Sequence, residues 1–141
     1  MTRPPRSYAL SGRGSDLGLE VTGADLGECL RAAVEGFAAA LAELPAALPT
    51  RTEAVAFDED CPSDLLVALL DELIVRLDAD GDLAVDLAVA EAQGGCLRGD
   101  VVLADLTDVE VHGVAPKAAT WHGVRLEPAG DGWSGAIMLD L

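Results

Sequence analysis

The run at residues 63–78, Ser-Asp-Leu-Leu-Val-Ala-Leu-Leu-Asp-Glu-Leu-Ile-Val-Arg-Leu-Asp, constrains this chain more than any other stretch. On a helix, Leu65, Leu66, Val67, Leu69, Leu70, Leu73, Ile74, Val75 and Leu77 spread around most of the circumference. Only a thin polar stripe remains, through Asp64, Ala68, Asp71, Glu72 and Arg76. A helix of that kind needs cover on nearly every side, so the rest of the chain is predicted to wrap over it. Ser63 is the expected N-cap after Pro62, Asp64 lies where the helix dipole favours an anion, and Glu72 and Arg76 form an i,i+4 pair. The acidic run from Asp78 to Asp82 stops the helix, with Gly81 as a left-handed terminator.

A second helix is predicted to open at Asp25-Leu-Gly-Glu28, an Asp-headed capping box, and to end at Pro45. Leu26, Cys29, Leu30, Ala33, Val34, Phe37, Leu41 and Leu44 share one of its faces, which makes it amphipathic and the more peripheral of the two. Elsewhere the period is two. Strands are expected at 8–10, at 17–22, at 53–57 and at 83–89. Gly94-Gly95 signals a hairpin into a return strand at 97–106, and a short strand is expected at 109–111. A longer strand at 116–127 then turns at Asp131-Gly132 into the last one, 133–141. The sum is an α+β fold, a single domain over 7–141 of about eight mostly antiparallel strands with two helices, preceded by a disordered Pro- and Arg-rich arm at 1–6.

Charge narrows the function classes. Nine basic residues stand against 25 acidic ones, a formal net charge of −16, whereas contact with a nucleic-acid backbone relies on Lys and Arg neutralising phosphates. No direct nucleic-acid binding is expected, so any link to RNA runs through a partner. The sequence has neither a long apolar run nor a signal-peptide core at its start, so it is expected to be cytoplasmic with no membrane association. Cys29, Cys61 and Cys96 are odd in number and widely spaced, which fits neither a disulfide framework nor a zinc site.

Few side chains offer chemistry. His112 and His122 are the only histidines; alternation along its strand puts His122 on the face of Ala118, Val124 and Leu126, as a structural residue. Without a serine elbow or an arranged base, no nucleophilic catalyst is expected. The run from Asp78 to Asp82 resembles a calcium loop, but aligning Gly81 with the loop glycine puts Arg76 and Leu87 at the end ligands. The glycines at 12, 14 and 18 lack phosphate-loop spacing and lead into a strand. Asp140 stands near the end of a strand that otherwise reads as buried, with the backbone oxygens of Leu141 beside it. If the first and last strands are neighbours, Asp16 joins them in an all-oxygen site for calcium or magnesium; otherwise both are strand-end aspartates in solvent. Lys117, the single lysine, is either a surface ion-pair partner or a functional cation.

At these residues the sequence resembles the archease family, the small accessory proteins of RtcB-type tRNA-splicing ligases. The likeness is carried by Val114-Ala-Pro-Lys-Ala-Ala-Thr-Trp-His-Gly-Val, similar to the family's Lys-x-x-Thr-aromatic-His stretch, by the helix from Asp64 to Ile74, and by the closing Leu-Asp-Leu. The resemblance implies a calcium-type divalent metal held by Asp16, Asp140 and Leu141, with Lys117 helping the ligase. It implies a non-catalytic activator that promotes guanylylation and multiple turnover of an RtcB-type RNA ligase. Gly12-Arg13-Gly14-Ser15 stands where the family usually has Asp-His-Thr-Ala, which leaves open a metal-dependent binding or chaperone-like module for another client protein.

Overall fold

The computed structural model describes residues 5–141. In order it runs β1 (Ser7–Arg13), β2 (Asp16–Gly23), α1 (Leu26–Leu41), β3 (Ala42–Glu43), β4 (Arg51–Asp58), α2 (Pro62–Asp80), β5 (Asp82–Gln93), β6 (Cys96–Asp105), a 3-10 turn (Leu106–Asp108), β7 (Glu110–Val111), β8 (Ala118–Ala129) and β9 (Gly132–Asp140). One sheet has the order β1-β2-β9-β8, a second β4-β6-β5, and β3 pairs with β7; all pairings are antiparallel. The α+β architecture with two helices is as the sequence predicts. There is one strand more than expected, because β3 is too short to show as a pattern.

The helices pack between the two larger sheets, α1 on β1, β2 and β5, and α2 on β8 and β5. Both ends of α2 follow from local chemistry, with one correction. The N-cap is Cys61 rather than Ser63, and Pro62 occupies the first helical turn, where its missing N–H costs nothing. At the other end Gly81 adopts φ 68° and its N–H bonds Leu77 O at 3.1 Å. Helix α1 opens as expected, with the Asp25 carboxylate accepting from Glu28 N–H at 2.9 Å. It stops at Leu41, short of the expected end at Pro45. Leu41 O accepts from His112 N–H (2.9 Å) and Gly113 N–H (3.0 Å), the next two residues join β7, and Leu44 lies exposed.

The predicted division into a central and a peripheral helix is corrected. Helix α1 buries Cys29, Leu30, Ala32, Ala33, Val34 and Phe37 as completely as α2 buries its leucines, whereas Val75 of α2 is 57% exposed. Small residues explain this: alanines and Gly36 let the strands come close, and a Cβ at Gly36 would stand 2.5 Å from Leu19 Cδ1. Of the expected arm at 1–6, residues 1–4 lie outside the described residues. Arg6 is held on α1 by Glu28 (3.2 Å) and Glu35.

Candidate metal and partner site

Asp16 opens β2 and Asp140 closes β9, and the strand register places them directly opposite each other. Leu141 N–H donates to Ser15 O at 2.8 Å, so positions 15 and 141 form the hydrogen-bonded pair. Asp16 and Asp140 therefore form a non-hydrogen-bonded pair, in which facing side chains come closest. The expectation that Asp140 lies in a buried setting is corrected, because β9 alternates strictly. Ile137 and Leu139 face the core, while Met138 and Asp140 face out and are exposed.

Lys117 sits immediately before β8. Its N–H donates to Asp140 O at 2.6 Å, and the next residue, Ala118, pairs with Asp140. Asp16, Asp140 and Ala118 thus lie side by side across three strands, with Lys117 at the corner. The ion pairs among the described residues join Arg6, Arg31, Arg51, Arg76, Arg98 and Arg125 to other carboxylates. They include neither Lys117, Asp16 nor Asp140, so the ion-pair alternative for Lys117 is not realised. The exposed lysine instead borders a cavity of about 470 Å³ lined by Ile74, Leu77, Leu106 and Pro116, with Asp78 also on its wall.

The donor chemistry of this corner suits a hard cation. Among the described residues no three His, Cys, Asp or Glu side chains gather, so nothing resembles a zinc or soft-metal centre. Two facing carboxylates together with main-chain oxygens are oxygen donors only, the set calcium and magnesium take, with water completing the shell. Like charges directly opposed across a sheet are destabilising unless a cation lies between them. The three residues named from sequence as a metal set are therefore neighbours, and they fit such an ion.

At two residues the structure differs from, or adds to, what the sequence predicts. The Asp71 carboxylate accepts from Ala119 N–H at 3.0 Å and so ties the edge strand β8 to α2. A polar residue within a nearly apolar helix was the signal for it. His122 is exposed, and does not face inward with Val124 and Leu126. The reason is a break in β8: Thr120 pairs with Met138 and Arg125 with Ala136, so residues 121–124 stand opposite Ile137 alone. Three extra residues reverse the alternation, and both Ala119 and Leu126 are buried although one is odd and the other even.

Elsewhere the acidic run ends α2 as expected. Asp82, the buried acid, is held by Arg51. The cysteines are free; burial pushes the Cys29 thiol up to about 11, with Asp25 and Glu28 adding to the effect. Among the described residues no helix is long and apolar enough to cross a membrane.

Fold and composition together define a class: small acidic α+β proteins in which two helices pack against antiparallel sheets. The chain belongs to the Archease protein family (MTH1598/TM1083), whose model matches residues 8–141. It is 33% identical over 129 residues to the probable protein archease of Mycobacterium tuberculosis H37Rv, covering 90% of this chain and 70% of that one, and equally to that of strain CDC 1551 / Oshkosh. In structure it is similar to protein 1598 of Methanobacterium thermoautotrophicum, with a TM-score of 0.70 at 18% identity over 95% of this chain and 98% of the other. A crystal structure of an archease from Thermotoga maritima, described as a possible chaperone, gives 0.65 at 17% identity, over 100% and 98%. At such identities the two structures attest the fold.

Proposed function

We propose that this protein is a non-catalytic activator of an RtcB-type RNA ligase, promoting its guanylylation and multiple turnover from the corner formed by Asp16, Asp140, Leu141 and Lys117. The observation that carries the reading is the facing pair Asp16–Asp140 beside a lysine with no ion pair among the described residues. Membership of the family supports the accessory role. A divalent cation bound there, calcium by preference, would neutralise the two carboxylates and present positive charge at the protein surface. Asp16 and Asp140 hold the position of that charge, because each is fixed by the strand register. Lys117 is anchored through its own N–H on Asp140 O, which leaves its ammonium free to meet phosphate oxygens on the ligase or its nucleotide.

The negative surface supports a protein partner rather than RNA itself, since a net charge of −16 repels phosphates. The β1–β2 turn favours a second reading, a metal-dependent binding or chaperone-like module for another client. There Gly14, at φ 64°, and Ser15 stand where the resemblance leads one to expect Thr-Ala. A GTP-dependent RNA-joining assay with purified cognate ligase separates the two. The first reading predicts repeated turnover only when this protein is present, and loss of that stimulation in Lys117→Ala. Unchanged ligase turnover on adding the wild-type protein would refute it.

A further inference from the structure

We propose that the bulge at residues 121–124 is a docking knob, and that Trp121 is its anchor in an apolar pocket on the basic surface of the ligase partner; this rests on the functional reading above. Alternation from buried Ala119 would turn Trp121 into the core, yet it is 59% exposed. The four residues that face Ile137 cannot follow the pleat, and Gly123, at φ 73°, supplies the left-handed step that lets the chain rejoin β9. The fold thus forgoes burial of its largest kind of side chain at this point, and places His122, also exposed, beside it.

The knob adjoins the acidic corner. Thr120, Met138 and Gly18 form one row across the outward face of the sheet, and Ala118, Asp140 and Asp16 form the next. Met138 is itself 41% exposed, so apolar surface continues from the knob toward the carboxylates. Beyond it the outward positions carry Glu20 on β2 and, on β8, Arg125 and Glu127, which lie 4.0 Å apart. A tryptophan one row from the facing Asp16 and Asp140, on a chain of net charge −16, suits a protein surface rich in Lys and Arg, as an enzyme that grips RNA must have. A nucleobase can also stack on indole, but it brings phosphates toward Asp16 and Asp140 on a chain of net charge −16, so a protein occupant is favoured.

The test compares wild type, Trp121→Ala and Trp121→Phe in the full chain. Because Trp121 is exposed, melting temperature and calcium binding should not change. Affinity for the purified ligase should fall about tenfold or more in Trp121→Ala and return to within about threefold of wild type in Trp121→Phe. In a Trp133→Phe chain, Trp121 is the one remaining tryptophan, and its fluorescence should become shielded from acrylamide when ligase is added. Full-strength binding by Trp121→Ala, no shielding, or shielding by single-stranded RNA alone would each overturn the docking proposal while leaving ligase activation standing. If the wild-type protein neither binds nor stimulates the ligase, the functional reading falls, and the docking role falls with it.

Discussion

Replacing Asp140 by Asn should stabilise the metal-free protein and weaken the metal-loaded one. In a non-hydrogen-bonded antiparallel pair the opposed Cβ atoms stand about 5 Å apart. Two unit charges at that distance in water repel by about 0.8 kcal/mol, and physiological salt reduces this to about 0.4 kcal/mol. The register also sets Arg13 across from Asp16, which makes this figure an upper value. Scaled by the usual unfolding entropy per residue over 141 residues, the melting temperature of Asp140→Asn in chelator should rise by about 1 °C. With calcium at about a hundred times its Kd the wild type gains about 2.7 kcal/mol, or about 9 °C, and most of that gain should vanish in the variant. Calorimetric melts of both proteins, in chelator and in calcium, read the crossing directly. A variant that melts lower than wild type in chelator, or that gains as much from calcium, would refute the reasoning.

Gly113 packs its α-carbon against the end of α1, where an added Cβ would stand 2.1 Å from Ala40 O. Gly113→Ala should cost about 1–3 kcal/mol, seen as a lower urea midpoint at unchanged slope. The Asp58 carboxyl is held below its ordinary value of 3.8 by its hydrogen bonds with Arg98, with the Cys96 thiol contributing. A depressed folded value means stability present above 3.8 and lost as pH falls through the lower folded value, so the wild-type advantage over Asp58→Asn should shrink as acid is added through that range. Cys29 is fully buried and its thiol is raised to about 11, so a thiol reagent at neutral pH should spare it in the native protein and label it only on unfolding.

How far the sequence could be read depended on the range of the information. Helix α2 was legible because Pro62 and Gly81 bracket it, and the hairpin at Gly94-Gly95 because two adjacent residues specify it. The depth of α1 was not, since alanine and glycine carry little hydrophobic signal yet permit the closest packing on Leu19 and Tyr8. The bulge escaped because alternation assumes an unbroken pleat; His122 lies within it, and its three extra residues put Leu126 on the opposite face from Ala118. Asp16 and Asp140 follow from likeness and from the condition that the first and last strands be neighbours, whereas the last strand pairs with the second, β2, which carries Asp16, and β1 lies on its far side. Their register is a relation across more than a hundred residues that no local pattern encodes. Lys117 was singled out as the sole lysine, whereas its anchoring through Asp140 O needed coordinates.

The most direct measurement is an isothermal calcium titration of the purified protein alongside Asp16→Asn and Asp140→Asn. Asp16 and Asp140 acting as one site predict a single saturable binding event in the wild type that either substitution removes. Equal binding by all three proteins would contradict it, as would no binding by the wild type.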